Sequence, residues 1–189
     1  MKHIIKPALS LFAIAAIATA LLSLVRDITL EPIAAQRKKT QENTMKAVFP
    51  EASDFKEIDT QKSGSIVRVF EGIRGSELIG YVIELSPTGY SGNIDMMVGV
   101  SKIKSEITGM RILRHSETPG LGALAVKESF YRKYNNRKLV PLKVVIASPG
   151  ENDIEAITSA TITTRAVTNA VNEAIEWYNS VIINGAGIR

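Results

Sequence analysis

From Ala8 to Val25 the chain carries no charge, and its only polar residues are Ser10, Thr19 and Ser23. Lys2, Lys6 and Arg26 flank this run of 18 residues, which is near the lower length for a membrane-spanning helix. A cleaved signal peptide is the alternative, with a small-residue site at Ala18-Thr19-Ala20. The apolar run continues through Leu21, Leu22, Leu24 and Val25, where a mature N-terminus would turn polar, and this favours a retained anchor. Lys2 and Lys6 favour a cytoplasmic start, but Arg26, Arg37, Lys38 and Lys39 follow closely on the other side. The charge bias therefore leaves the orientation open.

The anchor also explains the charge. The net +4 contains the three basic residues of 1–26, and beyond them 20 Lys/Arg face 19 Asp/Glu. No basic face remains for a nucleic-acid partner. The absence of cysteine removes disulfides, thiolate metal sites, iron–sulfur ligation and cysteine nucleophiles.

Residues 1–7 precede the anchor, 8–25 are expected across the membrane and 26–50 in a juxtamembrane helix or stalk. Glu31-Pro32 suits a first helical turn and Pro50 a stop. Residues 51–189 form one domain, since the remaining length suits a single core. Within it SIVRVFEGI, ELIGYVIELS, GNIDMMVGVS and ITGMRILRHS alternate apolar and polar residues and read as strands. LKVVIAS, from Leu142 to Ser148, reads as another. A helix is predicted over 123–134, with Leu124, Lys127, Phe130, Tyr131 and Tyr134 on one face. A second is predicted over Thr161–Tyr178, where Val167, Ala170, Val171, Ala174, Ile175 and Tyr178 form a stripe. The pattern predicts an α+β fold, a mainly antiparallel sheet with helices packed on it.

Self-contained catalysis finds no support. His3 and His115 are the only histidines, so a metal centre or a Ser/His/Asp triad lacks parts. No phosphate loop or dinucleotide fingerprint occurs. Two stretches remain. HSETPGLGALAV, His115 to Val126, joins a strand to a helix through Pro119, Gly120 and Gly122; it suits either a tight turn or a close ligand approach. EAITSATITTRAV, Glu155 to Val167, places Thr158, Ser159, Thr161, Thr163 and Thr164 at a helix start. One hydroxyl suffices as a cap, and the others could seat a phosphate on the helix N-terminus.

GYSGNIDMMVGVS, HSETPGLG and TSATITT, in this order behind one anchor, resemble the FMN-binding G subunit of the Rnf complex, an ion-translocating ferredoxin:NAD oxidoreductase. The C subunit of the sodium-pumping NADH:quinone oxidoreductase is a relative and an alternative reading. The resemblance covers nearly the whole chain. It implies an electron-transfer component of a bacterial cytoplasmic-membrane complex, with residues 1–7 on the cytoplasmic side and an extracytoplasmic FMN-binding domain. It further implies FMN joined through its phosphate to Thr161, attached by a flavin transferase from FAD. Partners would be the other members of the complex, the transferase and membrane lipid.

By the same resemblance Thr158, Ser159, Ala160, Ile162 and Thr163 surround the linkage, and Glu117, Thr118, Leu121 and Gly122 lie against the flavin. Glu155 serves transferase recognition, and Thr163 and Thr164 are reserve acceptors. Glu155 stands where the family usually has Asp, and Ser159 where Gly is common. A noncovalent flavin module and an anchored binding module without a redox role are the remaining rivals.

Overall fold

The computed structural model describes residues 2–60 and 63–183. It contains two compact units, residues 1–41 and 42–189. Helix α1 runs from Lys2 to Val48 and carries Pro32 in its interior, which removes one i→i−4 hydrogen bond. One helix thus covers both the expected anchor and the expected stalk. Leu9, Leu11, Phe12, Ile14, Ile17, Leu21 and Leu22 are all exposed on it. By length and composition α1 is able to cross a membrane.

The second unit is built on a six-stranded antiparallel sheet in the order β1 to β6. Its strands are β1 (Asp54–Ile58), β2 (Ile66–Arg74), β3 (Glu77–Leu85), β4 (Asp95–Ser101), β5 (Glu106–Arg114) and β6 (Arg137–Lys138). Such a meander follows from alternating strands joined by short turns. The four central strands match the sequence reading to within a few residues. The short edge strands β1 and β6 lack a readable alternation and were not anticipated. Two further strands, β7 (Lys143–Val145) and β8 (Asp153–Glu155), pair in parallel. The expected strand 142–148 is thus only three residues long.

The predicted helix over 123–134 is instead three pieces. A 3-10 turn spans Gly122–Val126, α2 is only Glu128–Tyr131, and a second 3-10 turn spans Arg132–Tyr134. Lys127 breaks the run by adopting an extended backbone, with φ −74° and ψ 148°. Part of the shared face survives this break: Phe130 and Tyr134 are both buried and meet edge to face, whereas Lys127 is exposed. The second predicted helix is present as α3, Thr161–Trp177, followed by a π-helical stretch Tyr178–Ile183. Its stripe residues Val167, Ala170, Val171, Ala174, Ile175 and Tyr178 are all buried.

Both faces of the sheet are covered. On one, α3 packs over Tyr81, Ile83, Met96, Val98, Val100 and Met110. On the other, Met45 and Val48 at the end of α1, with Phe49 and Ala52, cover Phe70, Ile79, Val82 and Met97. This second packing needs glycine. A Cβ on Gly72 or Gly80 would strike the Phe49 ring, and one on Gly99 or Gly109 would crowd the Val48 backbone. Gly72 lies opposite Gly80, and Gly99 opposite Gly109. The four glycines therefore form a trough across β2 to β5 that admits the chain after α1. Thr108 Oγ1 closes it by donating to the Val48 carbonyl at 2.5 Å.

Candidate functional site: a cavity at the start of α3

β8 ends at Glu155, and the chain makes a turn before α3 begins at Thr161. The N-cap is Ala160, with φ −135° and ψ 43°, and no side chain caps the helix. The hydroxyl-rich segment is therefore not a set of redundant caps. Thr164 N–H reaches the Ala160 carbonyl at 3.0 Å. The N–H groups of Thr161, Ile162 and Thr163 precede that first bond and point out of the helix end, where they favour an anion.

The five hydroxyls divide into three jobs. Thr164 is fully buried; its Oγ1 donates to the Ala160 carbonyl and accepts the Ile157 N–H, both at 3.0 Å. Thr168 repeats the pattern by donating to the Thr164 carbonyl, and its oxygen sits 2.8 Å from the Tyr134 hydroxyl. Burial pushes the Tyr134 phenol far above its ordinary range, so that hydroxyl keeps its proton. Thr163, 1 % exposed, gives its proton to Glu117 Oε2 in a short hydrogen bond. Thr158 and Ser159 are exposed, and Thr161 is half-buried.

Glu117 gathers the three sequence motifs at one point. Its Oε1 accepts the N–H groups of Tyr90 and Ser91 at 2.9 Å each, and its Oε2 accepts from Thr163. The residue is 5 % exposed. The turn 89–92, the loop 117–122 and the first turn of α3 are thus tied to one buried carboxylate. Gly122 is required here, since a Cβ would lie within 3.0 Å of both Glu117 Oε2 and Thr163 Oγ1. Pro119 and Gly120 form the turn beyond, with Gly120 at φ 77°. That turn presents Leu121, 40 % exposed, with φ −119° and ψ −105°.

These elements enclose a cavity of about 600 Å³, lined by Tyr90, Glu117, Thr118, Leu121 and Gly122 on one side. Ser159, Ala160, Thr161, Ile162 and Thr163 line the other. Its size lies within the range of small-molecule sites. Tyr90, Leu121 and Ile162 are 70 %, 40 % and 55 % exposed, so apolar surface meets the helix N-terminus there. No group of metal-ligating side chains occurs among the described residues. A planar apolar ring bearing a phosphate fits the donor set: apolar walls for the ring and free N–H groups for the anion.

A family described as the FMN-binding domain matches residues 89–176, and one described as the RnfG N-terminal region matches residues 1–48. The chain is 34 % identical over 196 aligned residues to the G subunit of the Na(+)-translocating ferredoxin:NAD(+) oxidoreductase complex of Acetobacterium woodii, covering 95 % of this chain and 94 % of that one. This chain belongs to the family of Rnf G subunits.

Another member, the G subunit of the ion-translocating oxidoreductase complex of Methanosarcina acetivorans, is 32 % identical, with 95 % and 96 % of the two chains covered. Among solved structures, Shewanella oneidensis NqrC shares the fold with a TM-score of 0.51, at 20 % identity and 68 % and 67 % coverage. The C subunit of the Na(+)-translocating NADH-quinone reductase of Parabacteroides distasonis does so at 0.50, with 24 % identity and 59 % and 60 % coverage. The α+β fold expected from the sequence is therefore the one these two solved structures share.

In this G subunit nine of the twelve site residues named from the sequence line one cavity. Thr158, Thr164 and Glu155 do not line it. Glu155 sits on β8, where its carboxylate pairs with Lys133 at 3.1 Å. Lys133 also donates to the Glu155 carbonyl at 3.2 Å. Tyr90 is the lining residue that sequence reasoning missed. Its signal was its place between Gly89 and Ser91, in the turn of the first family motif.

Ser159 has φ 61°, in the left-handed region where side chains are strained. Ser159→Gly is expected to leave stability within about 0.5 kcal/mol, because relieved strain offsets the added chain entropy. Ser159→Val should lose about 1–2 kcal/mol, since a β-branched residue fits this region worst. Urea denaturation of the two variants measures both.

Proposed function

We propose that this chain is the electron-carrying G subunit of an ion-translocating ferredoxin:NAD oxidoreductase complex, with FMN held covalently on Thr161. The observation that carries the reading is the convergence of the matched FMN-binding segment on one apolar cavity whose floor is an uncapped helix N-terminus. Thr161 is the first residue of that helix and the half-buried hydroxyl on the cavity wall. Attachment takes place when the Thr161 oxygen bonds to the flavin-side phosphorus of FAD. The pyrophosphate bond breaks, AMP leaves, and the threonine proton passes to solvent. A separate flavin transferase supplies the catalysis, and Glu155 takes part in its recognition.

Once in place, FMN supplies reversible one- and two-electron transfer. The protein's share is to hold and orient it. The N–H groups of Thr161 to Thr163 seat the phosphate, and Leu121, Tyr90 and Ile162 flank the ring. No acid/base pair is needed for that task. We assign α1 to the bacterial cytoplasmic membrane, with the flavin domain on the extracytoplasmic side. A covalent link there keeps the cofactor from diffusing away and maintains its effective concentration beside its redox partners.

Acid precipitation of the full chain made together with a flavin transferase tests the reading. The yellow colour and its fluorescence are expected to stay with the pellet, and digestion should place one FMN less water on the peptide containing Thr161. Colour released wholly into the acid supernatant would show a noncovalent site and overturn the linkage.

A further inference from the structure

Glu117 places a negative charge in the wall of a cavity proposed to hold a phosphate. The three donors it receives are two backbone N–H groups and the Thr163 hydroxyl, none of which bears a formal charge. Its own N–H donates to His115 Nδ1 at 3.1 Å, so the imidazole is engaged with the Glu117 backbone. Among the described residues no ion pair joins the histidine to the carboxylate. Arg165, one turn along α3, is exposed to water, where its field is screened. Against the full negative charge of Glu117 the helix end offers roughly half a positive charge. The local balance is negative, so each additional charge on a bound phosphate is opposed.

The two states of the phosphate differ in this respect. Free FMN is a phosphomonoester bearing about two negative charges at neutral pH. Joined to a threonine oxygen, the same phosphorus is a diester with a single charge. We propose that Glu117 makes the seat selective for the phosphodiester over the free phosphomonoester. This rests on the reading of Thr161 as the FMN acceptor and adds a specificity role to it. Free FMN is then kept from occupying the cavity and blocking Thr161 before attachment. The same carboxylate ties the turn 89–92 and the loop 117–122 to α3, so the seat is formed before the flavin arrives.

The test uses the full chain in detergent, made without a transferase, at pH 8. FMN, FMN monomethyl ester and riboflavin are titrated by flavin fluorescence. The wild-type chain is expected to bind the methyl ester about fivefold or more tightly than FMN, as one extra charge near a buried carboxylate implies. In Glu117→Gln, which keeps hydrogen-bonding groups at both positions, the gap should close to within about twofold, and the FMN-to-riboflavin affinity ratio should rise. A wild-type chain that binds FMN as well as the methyl ester, or binds neither, overturns the proposal. So does persistence of the gap in Glu117→Gln. The wild-type comparison decides the matter if Glu117→Gln fails to fold. A chain that takes up no covalent FMN beside a transferase would instead refute the role of Thr161, and that result is read separately by mass.

Discussion

Thr161→Ala is expected to abolish covalent flavin, with an intact mass equal to the bare chain even when a flavin transferase is present. The two reserve hydroxyls, Thr163 and Thr164, give no rescue. Thr163 is 1 % exposed with its proton committed to Glu117, and Thr164 is buried with its oxygen engaged twice. Neither reaches an incoming pyrophosphate without unwinding the first turn of α3. The fold, in contrast, should hold. Ala160 is the N-cap and Thr161 contributes no capping bond, so alanine at the first helical position changes stability by less than about 0.5 kcal/mol. Thr161→Ser keeps an acceptor oxygen at the same place and should retain the label. Flavin mass remaining on Thr161→Ala would move the acceptor elsewhere.

The largest loss of stability is expected from Gly80→Val. A side chain there would begin within 3.0 Å of both the Val100 carbonyl and the Phe49 ring. The carbonyl belongs to the neighbouring strand β4 and cannot yield without disturbing the ladder, and the ring must leave as well. Phe49 is 1 % exposed, and expelling it exposes Phe70, Val82 and Met97 as well. Overpacking together with the loss of a buried aromatic costs on the order of 3–5 kcal/mol. Urea unfolding should show a midpoint shifted sharply downward with a similar slope. An unchanged midpoint would mean that the chain after α1 does not lie in the trough.

Sequence and structure agree most closely where one period dominates. The alternation in 65–116 predicts four central strands, and the 3.6-residue stripe after Thr161 predicts α3, because a buried face imposes its spacing on the sequence. The segment 123–134 has the same kind of stripe and still breaks, since an extended Lys127 keeps Phe130 and Tyr134 buried without a continuous helix. β1, β6 and β8 are two to five residues long, too short for alternation to register. The cavity was legible as three motifs, and their meeting point was not. Nothing in the order of residues states that Glu117 accepts from Tyr90, Ser91 and Thr163, because such bonds span 26 to 46 positions and depend on the completed sheet. The left-handed Ser159 gives a physical reason for the preference for glycine that the resemblance implied there.

The glycine trough also decides where this protein tolerates being cut. A protease that removed residues up to Gln41 would leave Met45, Val48, Phe49 and Ala52 to shield the sheet. A cut near Ser53 would strip that cover and leave a greasy face of phenylalanine, isoleucine, valine and methionine on an otherwise well-charged body. Such a fragment would pair with its own kind or adhere to lipid. The last turn of α1 and the residues just after it thus belong to the flavin domain, and any soluble form of that domain has to begin upstream of them.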